Sequence, residues 1–304
     1  MNPGKSRIRS ILSISLKALT CLALLTIGVS YVEVNNVLHP PRIIPGGKTL
    51  RKFDIEYHDV DLLTEDGIRL SAWYTPPHNG AVILLAHGYG DKRPEWVYEM
   101  LARKGCGVLA WDARAHGASD GEISTIGYLE VLDVKAALDY ALAQPNVEHV
   151  GAWGGSMGAS TLILAAAQFP QIEALFVDSP FSSLNDELDL LIPCPVINPL
   201  AKILTEVETG INIKDVSPLD VIGKISPRPV YIVQGLADSV APPDSGEKLF
   251  NAAREPRTLW AEENVPHQQM YLDDPRRYKR RLLAFFDEWL LGNYGTHGDF
   301  RQNG

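Results

Sequence analysis

Cysteine is scarce in this sequence, and no group of residues has the spacing of a metal site. The chain of 304 residues has three cysteines, of which only Cys106 and Cys194 lie outside an apolar N-terminal segment. They fall in different parts of the predicted fold and nothing in their spacing indicates a disulfide, so we interpret both as small buried hydrophobic residues. We expect neither a metal nor an organic cofactor.

The signals of nucleotide and nucleic-acid binding are also missing. The glycines do not fit a G-x-G-x-x-G pattern and no Gly-Lys-Ser/Thr follows a glycine-rich turn, which argues against a phosphate cradle. The net charge of −9 argues against a nucleic-acid surface. Apolar residues make up 45% of the chain and charged residues 21%, as is ordinary for one large globular domain with a small addition.

One long hydrophobic run is present, and it lies at the N-terminus. Lys5, Arg7 and Arg9 precede it, and residues 11–32 are apolar apart from one lysine and small polar side chains. As a helix this run is about 33 Å long, close to the thickness of a bilayer core. We therefore predict that residues 1–33 are a single-pass transmembrane signal anchor, with the N-terminus in the cytoplasm and the remainder outside it.

The alternative for this segment is a cleaved signal peptide. Its apolar region would be residues 18–27, with Gly28 and Ser30 as small residues before the cut. The mature protein would then be secreted. Both interpretations export the part of the chain that follows.

A stretch rich in proline and glycine separates the apolar run from a folded domain. We assign residues 34–53 to a linker, 54–292 to the domain and 293–304 to a polar tail. The strand patterns lie at 55–63, 68–74, 81–86, 107–111, 147–153, 172–177, 229–233 and 257–260. Helical patterns alternate with most of them, which predicts an α/β fold with a mostly parallel central sheet and helices on both faces.

This alternation is interrupted between Phe181 and Ser226. The interruption contains apolar segments broken by prolines and no clear buried strand. We interpret 181–226 as a small helical cap over the carboxyl ends of the strands, with apolar residues that line a pocket. The alternative is that this segment only packs on the domain and has no role in ligand binding.

The most informative short motif is Gly154-x-Ser156-x-Gly158. It follows a buried strand and precedes an apolar helix, which is the context of a nucleophile elbow. A sharp turn of this kind lifts the serine hydroxyl above the sheet, and only residues without a Cβ let the strand and helix pass so closely. We predict that Ser156 is a nucleophile.

A serine hydroxyl needs a base, and a histidine held by a carboxylate can serve. Asp238 and His267 follow Ser156 in the chain, each just past a predicted strand, and we predict that these three residues form a catalytic triad. Three alternatives are open at this stage: Asp178 or Asp244 as the acid, and His297 in the tail as the base.

A second glycine-rich loop, beginning at His87-Gly88, follows the strand pattern at 81–86. We predict that the main-chain N–H groups of Tyr89 and Met157 form an oxyanion hole, since Met157 directly follows the nucleophile. His87 and Gly88, with the two glycines of the elbow, would shape the site. We favour a structural role for His87 over a catalytic one.

Taken together, these motifs resemble the α/β-hydrolase superfamily, and most of all its serine aminopeptidase-like and BEM46-like branch of membrane-anchored hydrolases. The residues that carry the resemblance are His87-Gly88-Tyr89-Gly90, Asp112-x-Arg114-x-His116-Gly117-x-Ser119, Gly154-x-Ser156-x-Gly158, Gly235-x-x-Asp238 and His267. One departure is Ala115, where relatives usually have glycine.

The resemblance implies a serine hydrolase that cleaves an ester, thioester or amide bond of a small-molecule or peptide substrate. We expect a carboxylesterase acting on a modest apolar acyl group, with an aminopeptidase-like activity as the alternative. A hypothesis of another class is a catalytically silent, membrane-tethered binding domain. The sequence predicts no nucleic-acid partner, and it does not determine the oligomeric state.

Overall fold

A computed structural model describes residues 3–293 of the chain. Its centre is an eight-stranded sheet in the order β1-β2-β4-β3-β5-β6-β7-β8. The strands are β1 (His58–Leu63), β2 (Arg69–Thr75), β3 (Ala81–Ala86), β4 (Gly107–Trp111), β5 (His149–Gly155), β6 (Ala174–Asp178), β7 (Val230–Gly235) and β8 (Arg257–Glu262). β2 is antiparallel to both β1 and β4, and all other neighbours are parallel. The prediction of a mostly parallel α/β sheet is confirmed.

Helices cover both faces of this sheet. In chain order they are α1 (Pro3–Leu38), α2 (Lys48–Lys52), α3 (Glu95–Ala102), α4 (Glu130–Leu142), α5 (Met157–Ala166), α6 (Leu184–Leu191), α7 (Asn198–Thr209), α8 (Pro218–Val221), α9 (Ser245–Ala252), α10 (Met270–Asp273) and α11 (Pro275–Leu291). Short 3₁₀ turns lie at Ile213–Asp215 and Ile222–Lys224.

Strand β3 shows how the sheet divides the core. All six of its residues are buried, as expected for a strand covered on both faces. Val82 and Leu84 enter one apolar core with α4 and α5, whereas Ile83 and Leu85 enter a second core with α3 and α11. This alternation follows from the two-residue period of a strand and places helices on both sides.

The segment predicted as a cap contains α6, α7 and α8 with the two 3₁₀ turns, and no strand. Leu184 and Leu188 of α6 are buried in the main core, which attaches the cap to the domain. Cys194 lies between α6 and α7 and is exposed, so its interpretation as a buried residue is wrong: the loop between these helices is at the surface. Cys106 is buried as predicted, and both thiols are free.

The N-terminal helix extends further than the predicted boundary at residue 33, because α1 continues to Leu38. Residues 34–53 are accordingly not one irregular linker: they include the end of α1 and the short helix α2. Arg42 ties the intervening stretch to the domain, since its guanidinium donates to the carbonyls of Ser119 at 2.5 Å and Gly121 at 2.6 Å.

Ala115, the departure from the family pattern, has a left-handed backbone with φ of 62° and is buried. A residue with a Cβ is strained there by about 1 kcal/mol, whereas glycine is not. Because glycine also loses more chain entropy on folding, we expect Ala115→Gly to raise the free energy of unfolding by roughly 0.5 kcal/mol. Urea titration followed by circular dichroism measures this change.

The matched control is Ala113→Gly, which is also buried in this loop but has no positive φ. We expect it to lower the free energy of unfolding by about 1 kcal/mol. Equal losses in both variants would contradict the proposed backbone strain at Ala115.

Candidate active site

Ser156 lies at the sharp turn between β5 and α5. Its backbone has φ of 51° and ψ of −120°, a strained combination for a residue with a side chain. A Cβ on Gly154 would come within 2.7 Å of the Gly158 carbonyl, and a Cβ on Gly158 would come within 2.3 Å of the Ala86 carbonyl oxygen. Both glycines are therefore required by the close passage of β5, α5 and the end of β3.

The three side chains predicted as a triad form a hydrogen-bonded row. His267 Nε2 lies 2.9 Å from Ser156 Oγ, and His267 Nδ1 lies 2.6 Å from Asp238 Oδ2. The other oxygen of this carboxylate, Oδ1, accepts from the main-chain N–H groups of Val240 and Ala241, at 2.9 Å each. Asp238 is thus fixed from both sides, and His267 is held between it and the serine.

This arrangement determines the tautomer of His267. An ionised carboxylate only accepts hydrogen bonds, so Nδ1 carries the proton and donates a hydrogen bond to Asp238. Nε2 then has a free lone pair that accepts from the Ser156 hydroxyl. A neutral imidazole in this orientation is what a general base next to a serine requires.

Asp178, the first alternative acid, is engaged elsewhere. Its Oδ2 accepts from the Tyr278 hydroxyl at 2.8 Å, and its Oδ1 accepts from the Ser179 hydroxyl at 3.0 Å. Burial raises the pKa of this carboxyl to about 6. The side chain of Ser179 in turn accepts from the main-chain N–H of Gln268, at 3.0 Å. Asp178 therefore supports the histidine loop through other residues.

The other two alternatives for the triad are Asp244 as the acid and His297 as the base. Asp244 lies at the surface next to α9, where its carboxylate pairs with Lys248 at 2.9 Å. His297 lies outside the described residues. Among the described residues, no group of three or more His, Cys, Asp or Glu is arranged to hold a metal ion.

His87 holds the loop beside Ser156 and does not bond to the serine. Its Nδ1 lies 2.7 Å from the Gly88 carbonyl, and its Nε2 accepts from the N–H of Ala113 at 2.9 Å. Burial lowers the pKa of His87, which keeps it neutral. Gly88 lies so close that a Cβ on it would meet the Ser156 Cβ at 3.3 Å.

Comparison with known proteins places this geometry in a family. A model of the family "Serine aminopeptidase, S33" matches residues 77–222. The uncharacterized protein YqkD of Bacillus subtilis is 30% identical over 235 residues, covering 73% of this chain and 76% of YqkD. The Arabidopsis thaliana α/β-hydrolase domain-containing protein WAV2 is 27% identical over 260 residues, covering 79% of this chain and 82% of WAV2. The chain belongs to the α/β-hydrolase superfamily.

Solved structures agree with this assignment. The Pyrococcus furiosus esterase Pf2001 superposes with a TM-score of 0.70 and 26% identity, over 83% of this chain and 99% of that one. The acylaminoacyl peptidase of Pyrococcus horikoshii, with a TM-score of 0.61 and 19% identity, shares the fold over 77% of this chain and 42% of that one. The protein is a hydrolase, and its place in the BEM46-like branch stays a prediction.

The hydrolase site opens into a cavity of about 530 Å³. Its apolar wall includes Val37, Ile126, Met157, Phe181, Leu191, Ile192 and Val240. Three carboxyl groups also line it, from Glu33, Asp91 and Glu187, and no lysine or arginine among the described residues does. Burial, with the nearby charge of Asp238, raises the pKa of Glu187 to about 8. The cavity is therefore suited to neutral or cationic groups rather than to anions.

The predicted oxyanion residues border this cavity together with Ser156. Met157 is the first residue of α5, and Tyr89 lies in the loop after β3. The Tyr89 hydroxyl donates to the Asn36 carbonyl of α1 at 2.8 Å, and the Gly90 N–H donates to His116 Nε2 at 3.0 Å. These bonds fix the loop in place. The role of the two main-chain N–H groups stays a prediction.

Sequence reasoning missed two contributors to the site. Gln268, with φ of 53°, places its amide within 3.2 Å of the position of a Cβ on Gly155, so it packs beside the turn that holds Ser156. The end of α1 supplies Glu33, Asn36 and Val37 to the cavity wall. For Gln268, its position directly after the predicted base was the one sequence signal of a place in the site. For the end of α1, nothing in the apolar N-terminal run indicated that it forms part of a pocket wall.

Proposed function

We propose that this protein is a serine hydrolase that cleaves a carboxylester through an acyl-enzyme. The row of hydrogen bonds from Ser156 through His267 to Asp238 is the observation that carries the proposal. Ser156 Oγ attacks the ester carbonyl while its proton moves to His267 Nε2. The oxygen that becomes negative is stabilised by the N–H groups of Tyr89 and Met157, each worth about 3 kcal/mol in similar sites.

The attack gives a tetrahedral intermediate, and the reaction is completed in two further steps. The bond to the alcohol breaks, the alcohol takes the proton from His267, and the acyl group stays on Ser156. Water next attacks the acyl-serine, with His267 taking a proton from the water and returning it to Ser156 Oγ as the carboxylic acid leaves. Asp238 orients the imidazole and stabilises the imidazolium formed in each step.

The surroundings of Ser156 favour an ester with one apolar half. The mostly apolar cavity of about 530 Å³ takes the acyl group. A second cavity of about 600 Å³ shares Gly88, Asp91 and Gln268 with the first and contains Lys48 and Lys92. This more polar space receives the leaving alcohol. The name of the similar Pyrococcus furiosus protein, an esterase, supports the same substrate class.

An aminopeptidase-like activity is the second candidate. The carboxyl groups of Glu33 and Asp91 in the cavity favour it, because they suit the ammonium group of a peptide N-terminus, whereas Glu187 with its raised pKa of about 8 is mostly uncharged near pH 7. The family model named after serine aminopeptidases supports it as well. Rates on p-nitrophenyl esters and on aminoacyl p-nitroanilides separate the two: we expect turnover of the esters alone.

A fluorophosphonate probe tests the serine mechanism itself. We expect the probe to label the folded protein on Ser156, because the base His267 lies 2.9 Å from its hydroxyl. The modified peptide is identified by mass spectrometry, and Ser156→Ala is the control that removes the label. A folded wild-type protein that resists the probe would favour the silent binding domain.

We also propose that α1 is an uncleaved single-pass anchor, with the domain on the extracytoplasmic side. Residues Ser15–Leu38 form a continuous helix that is long and apolar enough to cross a membrane, and its most apolar part is almost entirely exposed. The helix runs through Gly28 and Ser30 without a break, and Ser30 is buried against the domain. We expect the protein to stay in membranes after alkaline extraction; a soluble product beginning near residue 31 would indicate a cleaved signal peptide.

A further inference from the structure

The last turns of α1 are built into the substrate cavity and the cap. The Ser30 hydroxyl donates to the Ile197 carbonyl at 3.4 Å, next to the start of α7. Val34 and Leu38 form an apolar cluster with Ile192 and Ala201 of the cap. The large apolar side chains between Leu16 and Val29 of α1 are exposed, so Ser30 is the position at which the helix leaves the domain.

The cap has an exposed apolar surface at this same level. We call residues 190–197, from the end of α6 to the residue before α7, the cap tip. No charged residue occurs between Asp189 and Lys202. Leu190, Leu191 and Val196 are exposed, with 65% of Val196 accessible to solvent. Because Ile197 accepts the hydrogen bond from Ser30, the cap tip lies beside the exit of α1.

The cap tip and α1 also enclose one side of the cavity. Leu191 and Ile192 line it from the cap, and Asn36 and Val37 line it from α1. Leu191 of the cap tip is thus both exposed at the surface beside the α1 exit and part of the wall of the cavity that contains Ser156. Exposed apolar surface next to a membrane-spanning helix is stabilised when it enters the bilayer interface.

We propose that the cap tip inserts into the bilayer surface beside α1, and that the substrate is an uncharged lipid ester whose acyl chain enters the cavity between them. This inference rests on the proposed ester hydrolysis and on α1 as an anchor. The cavity beside Ser156 contains the carboxyl groups of Glu33, Asp91 and Glu187 and no lysine or arginine among its described lining residues. In the second cavity Lys48 and Lys92 are offset by Asp91 and Glu95, so neither space favours an anionic lipid over an uncharged one.

The insertion of the cap tip into the bilayer is tested with a fluorescent probe whose signal does not depend on catalysis. Cys194 in the cap tip and Cys21 in α1 are exposed, whereas Cys106 is buried. Full-length Cys21→Ser protein, labelled at Cys194 with an environment-sensitive dye, is reconstituted in phosphatidylcholine vesicles. We expect a blue-shifted emission that nitroxide-labelled lipids quench. The matched site is Leu63→Cys on β1, 71% exposed in the unmodified chain, labelled in a Cys21→Ser/Cys194→Ser background. Equal quenching at both sites, or none at Cys194, would overturn the insertion.

The substrate is tested by comparing two esters with the same reconstituted protein. One is soluble p-nitrophenyl butyrate, and the other is a diacylglycerol with a pyrene-labelled chain in the vesicle. We expect Val196→Asp to lower hydrolysis of the lipid about ten-fold, since one apolar contact with the bilayer is replaced by a charge, and to leave the soluble ester unchanged. Leu63→Asp is the control and should alter neither rate.

The outcomes distinguish this inference from the proposed function. Hydrolysis of the soluble ester without hydrolysis of the vesicle lipid would overturn the lipid substrate and leave the serine mechanism intact. Failure on both esters, with Ser156 unlabelled by fluorophosphonate, would overturn the proposed function, while dye quenching at Cys194 would still decide whether the cap tip is inserted.

Discussion

Asp238→Asn should lower kcat by about 10⁴-fold, the loss seen when the acid of a serine triad becomes an amide. The amide NH₂ cannot accept the hydrogen bond that His267 Nδ1 donates across 2.6 Å, so the ring changes to the tautomer with its proton on Nε2. That tautomer has no lone pair for the Ser156 hydroxyl. The measurement is kcat on p-nitrophenyl butyrate, at matched fold by circular dichroism.

The matched control is Asp178→Asn. Asp178 ends β6 as Asp238 follows β7, and both carboxyl groups are buried. Asp178, however, binds Tyr278 and Ser179 and has no hydrogen bond to His267 among those of the described residues. We expect less than about a ten-fold loss, since the amide can still hydrogen-bond to both hydroxyls and the charge that is removed has no hydrogen bond to His267. A larger loss for Asp178→Asn than for Asp238→Asn would reverse the assignment of the acid.

The choice between these two aspartates shows what the sequence could not determine. Both follow buried strands, so local pattern places them at the same edge of the sheet. The two aspartates differ because the hydroxyl of Tyr278 in α11 donates a hydrogen bond to the Asp178 carboxyl. Tyr278 lies one hundred positions along the chain from Asp178. No local pattern indicates a contact of that separation, and only the assembled core reveals it.

The elements that sequence did predict are those that depend on local chemistry. The full burial of β3 follows from its continuous apolar run, and the elbow follows from Gly154 and Gly158. Strand β5 was expected to end at Trp153, whereas it continues to Gly155 because its last residues pair with the end of β6. The packing of α1 on the cap was missed because its apolar residues match a bilayer as well as a protein core.

The Asp112-x-Arg114 motif is one of those that support the family resemblance, and its role becomes clear from its hydrogen-bond and ion-pair partners. Asp112 is fully buried and pairs with the buried Arg93, through bonds of 2.8 and 3.0 Å. Its Oδ2 also accepts from the Ala118 N–H at 3.0 Å. The next residue, Ala113, donates to His87. The motif therefore clamps the loop that holds His87 and contributes no group to the reaction.

Arg93→Met should for this reason destabilise the fold strongly. The substitution leaves the Asp112 carboxylate without its cation in the core, and breaking one partner of a buried pair costs about 3–5 kcal/mol. Urea unfolding measures the loss. The matched control is Arg69→Met: its pairs with Asp61 and Asp120 have similar lengths of 2.9 Å but lie at the surface, where the loss should stay below about 1 kcal/mol.

The double variant Arg93→Met/Asp112→Leu separates the ion pair from simple packing. If an unpaired buried charge causes the loss, removing the carboxylate as well should recover part of the stability lost in Arg93→Met. If the losses of the two single variants add, the cost instead comes from the Arg93 contacts with Ser71 and the Trp73 ring. In the first case the Arg93–Asp112 pair holds the loop electrostatically. In the second, Arg93 acts mainly as a packing residue between β2 and the His87 loop.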